Sequence, residues 1–300
     1  MASLKEVKDR IDSVKSTKKI TSAMKMIASA KVRKSQQAIA AFLPYSIKLN
    51  EILTNLLASD SSFDSPYAQE RENKKVAIVA FSSNSSLCGG FNANILKELA
   101  STVAEYTQIV GRQNISVYPI GKKVYDFANK SGFSVVQDLT FQEMADKPAF
   151  QLTLNLSKDL IQKFLSGEID RIILIYTHFK SMGVQEITNK VYLPFDLIGA
   201  QEKALEESSD KKSTATDYIL EPSKEVLLAH LIPKVLSSNL FAALLDSNAS
   251  ENAARSLAMQ IATDNAEQLV TDLTIEYNKS RQAAITNELL DIIGGASALS

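Results

Sequence analysis

The sequence predicts an α/β protein, an open and mostly parallel sheet domain set between two long helical arms. Three observations carry this. Near-continuous apolar runs in the middle of the chain, VAIVAF (Val76–Phe81), ISVYPI (Ile115–Ile120) and IDRIILIYTHF (Ile169–Phe179), alternate with helical patterns, as strands covered on both faces do. The two ends of the chain carry helical spacing instead. Those ends also differ in charge: residues 1–34 hold ten Lys and Arg against three acids, whereas residues 246–300 hold three against eight. Balances of +7 and −5 suit two helices that lie side by side.

The first arm opens with Ser3 and Glu6 at capping-box spacing. Leu4, Val7, Ile11 and Val14 follow as an a/d seam. Continuing that heptad places Lys18, Thr21 and Lys25 on the seam, so hydrophobicity predicts a register break. A shifted stripe of Ile20, Ala23, Met24, Ile27 and Ala30 would then take over. Pro44 is expected to kink or interrupt the helix, which resumes over Ile47–Leu57. Unbroken, it would be roughly 80 Å long at about 1.5 Å per residue.

A polar linker (59–75) leads into the sheet domain (76–199). Phe91–Val110 reads as an amphipathic helix, GKKVYDFANKSG as a short helix closed by Gly132, FSVVQDL as a weak strand and Pro148–Leu165 as a helix. EITNKVYLPF (Glu186–Phe195) alternates better and reads as an antiparallel or edge strand. A charged, Ser/Thr-rich linker (200–222) precedes the second arm (223–300). There Pro233 gives a bend or a start, and Leu257, Ile261, Leu269, Leu273, Tyr277 and Ala284 fall near one side. The pair Gly294-Gly295 is expected to stop the helix.

Composition excludes several function classes. With 45% apolar and 22% charged residues the chain is ordinary for a globular protein, and its net charge of −1 argues against nucleic-acid binding over the whole surface. The single cysteine, Cys88, permits no intramolecular disulfide and fits a reducing compartment. No apolar run approaches the roughly 18 residues of a spanning helix, and MASLKEVKDR has no secretory h-region. These features predict a cytosolic chain or one peripheral to a membrane.

Catalytic components are sparse. The turn SSNSSLCGGFN (Ser82–Asn92) sits where a phosphate could be cradled, but its glycines fit neither nucleotide-binding spacing and no lysine follows. It reads as a tight strand-to-helix turn, and Cys88 as a small buried side chain. Neither His178 nor His230 has a partner at ligand spacing, so metal sites and triads are unsupported. For the basic arm, KKITSAMKMIASAKVRK (Lys18–Lys34), a nucleic-acid grip, a membrane-surface anchor and coiled-coil pairing compete. The Ala/Met/Ile face and the lack of Trp, Phe or Tyr before Phe42 favour pairing with a protein surface. The charge-free tail IIGGASALS suits an apolar sleeve.

KKITSAMKMIASAKVRKSQ, LCGGFNANI, ASENAARSLAMQIATDNA and YNKSRQAAITNELLDIIGGASAL together resemble the gamma-subunit family of F-type ATP synthases. The resemblance covers essentially the whole chain and is strongest over 1–45 and 245–300; SNSS before LCGG departs from the charged residues and glycine frequent there. It implies a long antiparallel coiled coil of the N- and C-terminal helices plus a Rossmann-like open α/β domain. It also implies a non-catalytic central rotor shaft without cofactors. Such a shaft couples ion-driven rotation of the membrane c-ring to conformational cycling of the catalytic beta subunits, for ATP synthesis or hydrolysis. The implied partners are the alpha3-beta3 hexamer, the epsilon subunit and the c-ring, with no nucleic acid and no direct insertion into the bilayer. The implied location is the cytoplasmic face of the bacterial inner membrane. By family position, Met24 and Lys25 would face the acidic lever of beta, and Arg281, Gln282, Thr286 and Glu288 the loops that catch the shaft.

Overall fold

The structure is a computed structural model that describes residues 4–58, 65–195, 220–221 and 223–298. Ser3 of the expected capping box and nearly all of the expected linker 200–222 lie outside the described residues. Among the described residues there are six α-helices and five strands: α1 (Leu4–Ala58), β1 (Val76–Phe81), α2 (Phe91–Val110), β2 (Ile115–Ile120), α3 (Lys122–Lys130), β3 (Ser134–Val135), α4 (Thr140–Asp146), α5 (Phe150–Leu165), β4 (Arg171–Phe179), β5 (Gln185–Leu193) and α6 (Lys224–Ala298). The chain divides into two compact units, Met1–Ser29 with Arg255–Ser300, and Ala30–Ala254. Both α1 and α6 contribute to each.

In the larger unit the sheet order is β3-β2-β1-β4-β5, with β1, β2, β3 and β4 parallel and β5 antiparallel at the edge. The fully apolar strands are buried on both sides. Ala77, Val79 and Phe81 of β1 point to one layer, packed by Leu53, Leu56 and Leu57 of α1, by α4 and α5, and by Leu228–Leu244 of α6. Val76, Ile78 and Ala80 point to the other, under Phe91, Ile95, Leu99 and Val103 of α2 and Val124 and Ala128 of α3. The edge strand β5 is mostly exposed, as its alternation predicts. Ser65 and the residues after it are tied to this core. Arg71 donates to the Phe164 carbonyl at 2.9 Å and lies over the Phe164 ring, while Asp170 accepts the backbone N–H groups of Lys74 and Lys75.

Three expectations on helix continuity are corrected: an interruption at Pro44, a helix start at Pro233 and a stop at Gly294-Gly295. α1 runs unbroken through Pro44 and α6 through Pro233. Proline removes one helical hydrogen bond, but buried neighbours on either side hold the helix: Ser35 and Ser46 in α1, Ile232 and Val235 in α6. α6 also passes through Gly294-Gly295 to Ala298. Glycine lowers helix propensity by about 1 kcal/mol without forbidding it. Apolar content is corrected too: a window of α6 has mean hydropathy 1.5 over 18 residues, long and apolar enough to cross a membrane, but 56% of it is buried inside the protein. That burial marks it as core helix.

Candidate functional site

Two places qualify: the carboxyl ends of the strands, where open α/β sheets bind ligands, and the pair of helices in the smaller unit. At the strand ends the chain closes on itself. Gly121 holds φ +106°, and a Cβ there would lie 2.1 Å from the Ser82 carbonyl oxygen, so the strand-to-helix turns after β1 and β2 are in backbone contact. Asn92 fastens the first turn. Its Oδ1 accepts the Ser83 backbone N–H at 3.1 Å, and its Nδ2 donates to Ser83 Oγ at 2.8 Å and to the buried Cys88 sulfur at 3.0 Å. Asn84 accepts the Lys122 N–H and donates to the Gln142 carbonyl. These groups are spent on turn structure.

The crevice itself is filled by α6. Ser250 donates to the Thr177 carbonyl at the end of β4, and Asn248 Nδ2 to the Ala145 carbonyl. A cavity of about 10 Å³ remains, bordered by Phe81, Ser82, Ile120, Ser247, Asn248 and Glu251, enough for one water. Beside it His178 Nδ1 lies 2.7 Å from Asp246 Oδ2. Burial pushes the Asp246 carboxyl above the usual carboxylate range, and the His178 hydrogen bond partly offsets this. Among the described residues no three His, Cys, Asp or Glu side chains converge as a metal site.

The smaller unit is an antiparallel helix pair. Val7 and Ile11 of α1 pack with Leu273 of α6, flanked by Val14 and Tyr277. Lys18 Nζ meets Glu267 Oε1 at 2.9 Å, Thr263 Oγ1 meets Thr21 Oγ1 at 2.8 Å, and the Ser29 and Ser256 hydroxyls lie 2.8 Å apart. As the α1 number rises its α6 partner falls, which fixes the antiparallel sense.

These contacts correct the expected register break. The heptad begun by Leu4 and Val7 never shifts: Thr21 (9% exposed), Ala28 (1%) and Val32 (3%) continue it, with Lys18 and Lys25 half-buried between. Ile20 (57%), Met24 (38%) and Ile27 (60%), expected to form the new stripe, face outward with Met26, and Ala23 and Ala30 are exposed too. On α6 the seam is Ser256, Met259, Thr263, Ala266, Val270, Leu273 and Tyr277. Leu257, Ile261 and Leu269 are exposed, while Leu273, Tyr277 and Ala284 keep their expected side. Small side chains let the backbones approach, and paired hydroxyls satisfy each other there. Burial therefore followed spacing rather than hydrophobicity. The unbroken 3–4 spacing was the available signal for Thr21, Ser256 and Thr263, whereas Ser29 flanks the seam next to Ala28 and no spacing singled it out.

The residues singled out by family position fall as follows. Met24 is on the outward face and Lys25 in the seam column. Arg281, Gln282, Thr286 and Glu288 are exposed along α6, with Thr286 Oγ1 bonded back to the Gln282 carbonyl at 2.9 Å. Around them Ile285, Leu289, Leu290, Ile292 and Ile293 are all exposed.

A family model described as ATP synthase matches residues 3–299. The chain is 58% identical over 299 residues to the ATP synthase gamma chain of Bacteroides thetaiotaomicron, covering 99% of both proteins. The chain belongs to the ATP synthase gamma-chain family. The gamma chain of Flavobacterium johnsoniae is 43% identical over 307 residues, with both chains fully covered. Among solved structures, a chain of the Euglena gracilis mitochondrial ATP synthase (OSCP/F1/c-ring, rotational state 3) superposes with a TM-score of 0.61 at 18% identity, over 99% of this chain and 94% of that one. A chain of the Tetrahymena thermophila central stalk and c-ring gives 0.56 at 21% identity, over 81% and 99%. The fold is shared with these. As a member of the gamma-chain family, the protein is a non-catalytic subunit of an ATP synthase.

Proposed function

We propose that this gamma chain is the rotor shaft that couples c-ring rotation to cycling of the catalytic beta subunits, turning within the alpha3-beta3 hexamer and footed on epsilon and the c-ring. It works as part of a membrane-associated F1 complex, at the cytoplasmic face of the inner membrane, without entering the bilayer. The observation that carries this is the closed seam with apolar groups left outside it. Ile20, Met24, Met26 and Ile27 are exposed on a basic helix, and Ile285 to Ile293 on α6 are exposed without a seam partner on α1. Single exposed apolar residues are unremarkable, but contiguous ones mark contact surfaces.

Met24 and Lys25 are assigned to the acidic lever of beta, and Arg281, Gln282, Thr286 and Glu288 to the loops around the shaft. Torque needs each shaft azimuth to favour a different partner state, because only differential affinity shifts an equilibrium. Reconstitution of alpha and beta subunits with and without this chain tests the reading. ATP hydrolysis that is neither stimulated nor made rotation-coupled by the chain would overturn it.

A further inference from the structure

We propose that the hydroxyl pairs Thr21–Thr263 and Ser29–Ser256 are a register lock, positioning the partner-facing residues of α1 at a fixed phase relative to those of α6. The contact groups assigned above sit on two helices, Met24 and Lys25 on one and Arg281 to Glu288 on the other. They act in a fixed order around a shaft only if the helices neither slide nor roll. An apolar seam holds helices together without choosing a register, because apolar contact is non-directional. A polar pair inside a seam specifies register.

The geometry supports such a lock. Thr21 is buried, and the two threonine protons serve the cross-seam contact at 2.8 Å and a backbone carbonyl, Met259 O at 2.7 Å or Lys18 O at 3.1 Å. Ser256 is also buried, so its hydroxyl depends on Ser29. A slip of one heptad in one direction sets Ser29 against Ala249; in the other it sets Thr21 against Val270. The first slip leaves Thr21 opposite Ser256, so its cost falls on the half-buried Ser29; the second takes the cross-seam partner from Thr21 and leaves it only the Lys18 carbonyl. Each slip loses at least one hydroxyl pair, and a polar group deprived of its partner costs more than the original bond contributed. The ion pair Lys18–Glu267 lies in the same stretch but is open to solvent, and adds little.

The test uses the chain assembled with alpha and beta subunits and carrying spin labels at Asp12 and Asp272, both exposed. Thr21→Val/Thr263→Val with Ser29→Ala/Ser256→Ala keeps shape and removes the hydroxyls. The expected result is a distance distribution broadened or displaced relative to the parent protein, by rolling and partial sliding rather than a full heptad, because Leu53–Leu57 of α1 and Leu228–Leu244 of α6 stay anchored in the sheet core. Thr21→Ser/Thr263→Ser, which keeps every hydroxyl, should give the parent distribution. A distribution in the quadruple variant unchanged from the parent overturns the lock. If the quadruple variant fails to assemble, the Thr21→Val/Thr263→Val pair alone decides by the same reading. The distances do not depend on the rotor reading. Ion pumping per ATP does, and its loss in the quadruple variant, with hydrolysis retained, joins the two. A broadened or displaced distribution with pumping per ATP unchanged overturns the positioning role.

Discussion

His178 at the end of β4 and Asp246 of α6 are joined by a 2.7 Å contact between Nδ1 and Oδ2, with the carboxylate mostly buried. Burial dominates, so the folded Asp246 carboxyl has a raised pKa and the folded state holds its proton longer than the unfolded chain does. Stability linked to this group is therefore full below the ordinary carboxylate value of about 4. It is lost as pH rises through the raised one. Asp246→Asn should flatten that part of the profile. Urea midpoints of both proteins across mildly acidic pH check this, and parallel profiles would refute it.

Gly121→Ala should be severe. The added Cβ meets the Ser82 carbonyl, a backbone atom that cannot swing away, at a φ that side chains rarely adopt. A loss of roughly 2–4 kcal/mol is expected. Denaturant unfolding of the assembled or isolated chain measures it. A loss below about 0.5 kcal/mol, within ordinary surface effects, would mean the two turns can separate.

Leu273→Ala removes the α6 side chain that packs between Val7 and Ile11. A cost of about 2–3 kcal/mol is expected, toward the low end for leucine truncation because the cluster is small. Lys18→Gln should change stability by no more than about 0.5 kcal/mol, since Lys18 is 37% and Glu267 65% exposed. Thermal melts followed by helical circular dichroism separate the two. Equal effects would contradict the claim that packing, not charge, holds this part of the pair.

Met24→Lys places a charge on the outward face without touching the seam. It should impair coupling more than assembly. ATP-driven proton pumping, measured relative to hydrolysis in the same preparation, is the readout. An unchanged ratio would remove Met24 from the contact.

The α/β half was legible nearly residue by residue. β1 and β2 are uniformly apolar and bounded by turn residues, and their limits in the structure match the quoted runs. α4 had no periodic signal strong enough to announce seven residues. The glycine turn was readable as a turn, because its spacing lacked every phosphate-binding pattern. What misled was the helix pair. Ile20 and Ile27 look like core and Thr21 like surface, yet the reverse holds. Hydrophobicity identifies what avoids water somewhere, and here that somewhere is outside the seam. Proline and glycine misled similarly at Pro44, Pro233 and Gly294, since local propensity of a few kcal/mol yields to a helix supported along its length.

The occupied crevice has a further consequence. In many sheets of this topology a small molecule seated at the strand tips is part of the folded state, and the fold's stability then tracks the concentration of that molecule. Here Asn248 and Ser250 of the chain's own helix hold that seat at fixed stoichiometry. The grip of the sheet on its helix is thereby insulated from the rise and fall of cellular nucleotide levels, a useful trait for a part that must stay firm whether ATP is scarce or plentiful.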